Sequence, residues 1–384
     1  MQNCAVCQKT SLKLFEVESQ RITSISRIFP DGSQTFYCKN CMHVQTRIED
    51  DEKNYYDNNY PISLNHEDDD QVYDVVEGKV LYRNQHQFNI LMEKSRLDSS
   101  KRILDFGAAK GIIAKKLADT FGGGNIFVYD VSYSYVNYWN PKIPAANQAI
   151  NTIPATWQKS FDYLVSMFVM EHVSEIRNYV NQVVNLLRDG GGFFAIVPYL
   201  LSNPCDLLVS DHLNHFTKES LTNLLGTYGF SSIQIEDDLF RGALVVTAKL
   251  QKTNIVEVNS TNEIESVLDL AEYWENETKT IRDYETKGNN RIAIYGAGIY
   301  GLFIYSKLKD KAKIVCFIDQ NPFLNGERHE GVEIVSPNNV PEGVETIFVG
   351  LNPRISKKAI SETHFNFNKS TVEFVYLSDF YPRI

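Results

Sequence analysis

Hydrophobic residues between positions 99 and 250 fall into short continuous runs, separated by stretches spaced for one face of a helix. That alternation is expected of β–α–β units on a buried parallel sheet. Ile103, Leu104 and Phe106 begin the series, followed by a helical IIAKKLADTFGG and a strand-like NIFVY (125–129). A strand over Tyr163 to Ser166 comes next, then a helix over NYVNQVVNLLRDGGG and a strand FFAIVPY (193–199). Two further runs, SIQIEDD and GALVVTAKL, read as a closing antiparallel pair. A second alternating pattern starts at residue 290 with RIAIY, KIVCFID and IFVGL. Residues 251–289 are charged and helix-favouring, with Gly288 as the expected stop, and residues 51–98 are polar and Tyr-rich before turning helical. Residues 1–50 hold short β-like runs and four of the six cysteines. The chain is therefore expected to be α/β, divided at 1–50, 51–98, 99–250, 251–289 and 290–384.

Length and composition agree with several folded units: 384 residues exceed what one core usually serves, and 43% are hydrophobic against 22% charged. No apolar run approaches a membrane span, and MQNCAVCQKT lacks the apolar core of a secretory signal, so a cytoplasmic address and no membrane partner are expected. The net charge is −10 and no Lys/Arg cluster stands out. Phosphate backbones need a basic face, so a small-molecule substrate is expected and nucleic acid is not.

Cys4 and Cys7 form one C-x-x-C pair, and Cys38 and Cys41 another. Two such knuckles close a tetrahedral Zn²⁺ site, and the turn Pro30-Asp31-Gly32 before SQTFYC suits a hairpin between them. A structural zinc ribbon is expected. With four cysteines as ligands the ion keeps no open position for chemistry.

The run RILDFGAAKG (102–111) places a glycine turn directly after a strand, where backbone N–H groups can approach a ligand with no Cβ in the way. Asp130 ends the next strand, where a carboxylate can accept from both ribose hydroxyls. The continuation, with Glu171-His172-Val173 after the fourth strand and a helix–GGG–strand succession, resembles class I S-adenosylmethionine (SAM)-dependent methyltransferases. The resemblance implies SAM contacts from Asp105, Gly107, Ala108, Gly111, Asp130 and Met167. Tyr60, with Tyr55 and Tyr56, falls where an aromatic lid would sit, although for any one of them ordinary packing is the stronger expectation.

Methyl transfer from a sulfonium needs an aligned acceptor stripped of its proton, and a histidine can take that proton near neutral pH. His172, His212 and His215 fall in loops that overhang the carboxyl ends of the strands, with Asp211 beside His212 as a group that could orient it. For each histidine the alternative is a loop-fixing role.

The three-part layout is similar to that of nucleotide-sugar C-methyltransferases, which carry a zinc ribbon, a Rossmann-like SAM domain and a C-terminal Rossmann-like α/β domain. VSDHLNHFT aligns His212 with that family's base and Asp211 with its Glu; IAIYGAGIYG, FIDQNPFLNG, GVEIVSP and VGLNP resemble its C-terminal blocks. The resemblance implies methylation of a nucleotide-linked deoxysugar, with C-methylation of a 4-keto sugar through a histidine base. Val209 and Ser210 replace the family's Tyr and His, so sugar O-methylation stays open. Gly296, Gly298, Gly301 and Asp319 form a dinucleotide-like fingerprint, with Asn352 after the strand IFVGL. The resemblance implies that these hold the substrate nucleotide; the alternative is an NAD-dependent sugar oxidoreductase or epimerase.

Overall fold

The computed structural model describes residues 2–48, 72–76, 79–251, 263–284 and 291–380; Tyr55, Tyr56 and Tyr60 lie outside them. The central sheet has seven strands, in the order Gln148–Ile150, Ile126–Asp130, Ile103–Phe106, Phe161–Met167, Leu187–Pro198, Ala243–Leu250 and Phe230–Glu236. Six of the strands run in one direction and Ala243–Leu250 alone runs antiparallel, between Leu187–Pro198 and Phe230–Glu236. Ile103–Phe106 is wholly buried because it runs between two neighbours with helices covering both faces. The arrangement is an α/β Rossmann-like fold.

One expected boundary moves. The helix spans Ile176–Leu186, and the three glycines belong to the long strand Leu187–Pro198. Their run suits a strand because the Tyr163 ring lies flush on Gly192, where a Cβ would come within 2.2 Å of Cε2.

A second sheet of six strands carries the C-terminal residues, five of them parallel and the edge strand Arg328–His329 antiparallel, with Arg291–Tyr295 and Lys313–Ile318 at its centre. The helix Glu263–Arg282 is docked, not a free linker. Trp274 is fully buried and its Nε1 donates to the Pro204 carbonyl at 2.8 Å. Glu263 caps the helix Lys218–Thr227 by accepting from the amides of Lys218 and Glu219.

The N-terminal sheet departs most from expectation. Thr10–Val17 pairs with Ser33–Tyr37, and the intervening residues form a separate small hairpin, Arg21–Ile22 with Ile28–Phe29. The chain thus enters its main strand after Gly32 instead of closing a simple hairpin there. Gly32 is needed for that entry, since a Cβ would stand 2.3 Å from the Val17 carbonyl oxygen. The sheet's last strand, Asn214–His215, comes from the other end of the sequence and pairs with Val44–Arg47.

Candidate active site

The glycine turn after Ile103–Phe106 is built from positive φ angles: Gly107 at 87°, Ala109 at 45° and Gly111 at 64°. Gly107 is obligatory twice over, because a Cβ there would lie 2.5 Å from Cγ2 of Val169. At Gly111 it would meet Trp139, whose Nε1 donates to the Ala109 carbonyl at 2.7 Å. Asp130 braces the turn from the next strand: Oδ2 accepts from Ala109 N at 2.8 Å and Oδ1 from Ser132 N at 3.0 Å. Each oxygen keeps a further lone pair for a hydroxyl. Ala108 donates through its backbone to the Tyr129 carbonyl, and Met167 ends the fourth strand half-buried. Asp105 is buried and accepts from Ala114 N, and burial raises its pKa to about 7. A backbone opened by glycine, flanked by two carboxylates, fits the ammonium and ribose of SAM; a Cβ at Gly107 would fill part of that cradle.

Val169, packed on Gly107, leads within two residues into the short 3-10 turn Met170–His172. This brings Glu171 and His172 beside the glycine turn. Across from them lies His212, its ring centroid 4.8 Å from that of His172 and the planes at 81°.

The carboxylate that holds His212 is Asp206, a residue the sequence reading passed over. Its Oδ1 accepts from His212 Nδ1 at 2.6 Å, and its Oδ2 from His215 Nδ1 at 2.7 Å. Asp206 and His215 are both fully buried. His215 also shares a hydrogen bond of 2.8 Å between Nε2 and Thr46 Oγ1, so both its nitrogens are engaged.

Asp211 acts on His212 through its charge, while its carboxylate is held from the inserted hairpin. Its carboxylate accepts from the amide and hydroxyl of Ser24, both at 2.7 Å, while its backbone carbonyl accepts from His172 Nδ1 at 2.9 Å. The inserted hairpin thus reaches the site, and a bridge from Ile22 to Val209 reinforces the contact. His43, to which the sequence assigned no task, shares a hydrogen bond of 3.1 Å between Nε2 and Asn214 Oδ1.

Electrostatics separate the two facing histidines. Burial opposes charge on His212, but the Asp206 carboxylate overrides it and raises its pKa to about 9. Burial, with the charge of His212, lowers His172 to about 4. Burial likewise opposes ionisation of Asp206, yet His212 and His215 hold its carboxyl below the usual range. Glu171 is 1% exposed and burial raises it to about 7.

In the N-terminal sheet the four cysteines are free thiols whose Sγ atoms lie within 4.8 Å of one another. Cys4 and Cys41 are 3.4 Å apart, as are Cys7 and Cys38, far beyond a disulfide bond. Tetrahedral zinc thiolates at about 2.3 Å put sulfurs about 3.8 Å apart, so the cluster is compatible with a zinc ribbon.

In the C-terminal sheet, Asp319 Oδ2 accepts from Ala297 N at 2.9 Å, repeating the brace that Asp130 makes. Gly296 has φ of 96°, and Gly301 lets the helix lie on it, a Cβ there falling 1.9 Å from the Gly296 oxygen. Gly298 is the N-cap of the helix Ile299–Leu308. Asn352 caps the helix Pro353–Glu362 by accepting from Arg354 N at 3.0 Å.

Residues 79–235 match a family model described as a methyltransferase domain. Among solved structures the chain is similar to a SAM-dependent methyltransferase from Mesorhizobium loti, 18% identical over 43% of this chain and 97% of that one, with a TM-score of 0.36. It is similar to the CurJ carbon methyltransferase, 14% identical over 42% of this chain and 51% of that one, TM-score 0.34. The [4+2]-cyclase SpnF is 16% identical over 48% of this chain and 87% of that one, TM-score 0.38. No curated protein matches. The chain carries a methyltransferase domain, and the enzyme is a methyltransferase.

Proposed function

We propose that this methyltransferase acts on a nucleotide-linked deoxysugar, methylating the carbon beside a 4-keto group with His212 as general base. SAM, when bound, supplies the methyl group on a sulfonium. The observation that carries the reading is the facing pair His172 and His212, set beside the glycine turn through Val169 and anchored on Asp206. His212 takes the proton next to the ketone, and the substrate carbon so exposed forms its new bond to the methyl group. Asp206 stabilises the imidazolium left behind and fixes the ring through Nδ1. His172, held by the Asp211 carbonyl, orients the sugar. The four cysteines hold a structural zinc ion, and the turn at Gly296, with Asp319, holds the nucleotide part of the substrate.

Incubation with a 4-keto sugar nucleotide in D₂O tests the reading. Deuterium should enter next to the ketone in the wild type and not in His212→Ala. Methyl transfer without any exchange would sink carbanion chemistry in favour of O-methylation, a reading favoured by Val209 standing where the resembled family has Tyr.

A further inference from the structure

We propose that Glu171 binds the substrate: its Oε2 accepts a hydrogen bond from a sugar hydroxyl beside the carbon that takes the methyl group, a role that rests on the ketosugar reading above. Glu171 is 1% exposed, and its Oε2 has no hydrogen-bond partner among the described residues. The acids around it are occupied. Both oxygens of Asp206 accept from histidines, and both of Asp211 accept from Ser24. A buried acceptor left unmet weakens the fold, so it calls for a partner from outside the chain.

The position of Glu171 makes that partner a group of the substrate. One of its carboxylate oxygens lies within 4.8 Å of a ring nitrogen of His212. The same short turn follows Val169, which packs on Gly107. An O–H···O bond of about 2.7 Å from Oε2 sets a hydroxyl oxygen between the two side chains, and the ring carbon next to it then faces His212. Burial and the charge of Asp206 oppose ionisation of Glu171, while the charges of His212 and of Arg83, on the helix Arg83–Lys94, favour it. A carboxylate closed off from water is a strong acceptor, because no solvent competes for it.

Specificity follows from the same chemistry. A sugar without that hydroxyl leaves the buried carboxylate unmet in the complex, so Glu171 selects substrates that keep the donor.

The test uses the full chain and two 4-keto sugar nucleotides, one carrying the hydroxyl beside the methylated carbon and one deoxygenated there. Wild type should favour the hydroxyl substrate by at least about tenfold in kcat/KM. Glu171→Met, close in size but without an acceptor, should lose that factor on the hydroxyl substrate and change less than about threefold on the deoxygenated one. Its melting temperature should hold or rise, since a buried polar group without a partner is gone. Glu171→Gln, which keeps one acceptor oxygen, should recover part of the loss. Equal losses on both substrates with a lower melting temperature would mark Glu171 as a structural acid and overturn the role. A fall of about tenfold or more in SAM affinity by calorimetry would assign the carboxylate to the cofactor and overturn it too. Wild-type turnover of both substrates at equal rates would remove the role and leave the ketosugar reading standing. Turnover of neither, with no deuterium exchange, would sink that reading and this role with it.

Discussion

Replacing Asp206 with Asn is the sharpest probe of the histidine network. The carboxylate raises His212 from an ordinary 6.5 to about 9. At 1.36 kcal/mol per tenfold change in proton affinity, the folded state gains about 3 kcal/mol from holding the imidazolium. The folded pKa lies above the unfolded one, so this stabilisation is complete below pH 6.5 and fades as the pH rises through 9. The depressed Asp206 keeps its charge in that window. The stability gap between wild type and Asp206→Asn should therefore be about 3 kcal/mol or more at pH 6. It should shrink toward the roughly 1 kcal/mol of a neutral hydrogen bond by pH 10. Paired urea denaturation curves across that range measure the gap, and NMR titration of the His212 Cε1 signal reads its pKa directly. At pH 7 only about one wild-type molecule in a hundred would carry the free base. The acid limb of kcat/KM should rise toward pH 9 and move to lower pH in the variant. A gap independent of pH, or a wild-type His212 titrating near 6.5, would refute the reasoning.

Three further outcomes are expected. With zinc seated on the four cysteines as proposed, its chelation should abolish methyl transfer while SAM affinity, by calorimetry, changes less than about threefold, because the glycine turn is held by Asp130 and Trp139 instead of the cysteine-bearing sheet. Gly107→Ala should weaken SAM at least tenfold by the same measurement, since φ of 87° and the Val169 contact both oppose a Cβ, strain on the order of 1–3 kcal/mol. Ser24→Ala removes one of the hydroxyl and amide donors to Asp211. A loss of about 1 kcal/mol on denaturation is expected, with kcat falling and SAM affinity unchanged.

The parallel sheet and the cofactor turn were legible because their signals are local: apolar runs, glycines needing positive φ, and an acid closing a strand. The paired cysteines were equally plain, since their spacing is itself the geometry. Asp206 was not legible. It lies six residues before His212 in an otherwise apolar 3-10 segment, Pro204–Leu208, and nothing local marks an acid that will bridge two histidines. Proximity in sequence instead drew attention to Asp211, whose side chain follows a partner 187 residues away. The same distance hid the use of Ser24, Thr46 and His43, which acquire tasks only once the N-terminal sheet meets the loop after the fifth strand.

That meeting has a temporal consequence. The strand Val44–Arg47 pairs with residues about 170 positions later, so during synthesis at about 5–20 residues per second its edge waits on the order of ten seconds for its neighbour. Until then it is an open edge, the kind of surface on which chains pair wrongly with one another. The nascent chain acquires its reaction centre late, and conditions that slow elongation should lower the yield of competent protein more than they lower its solubility once made.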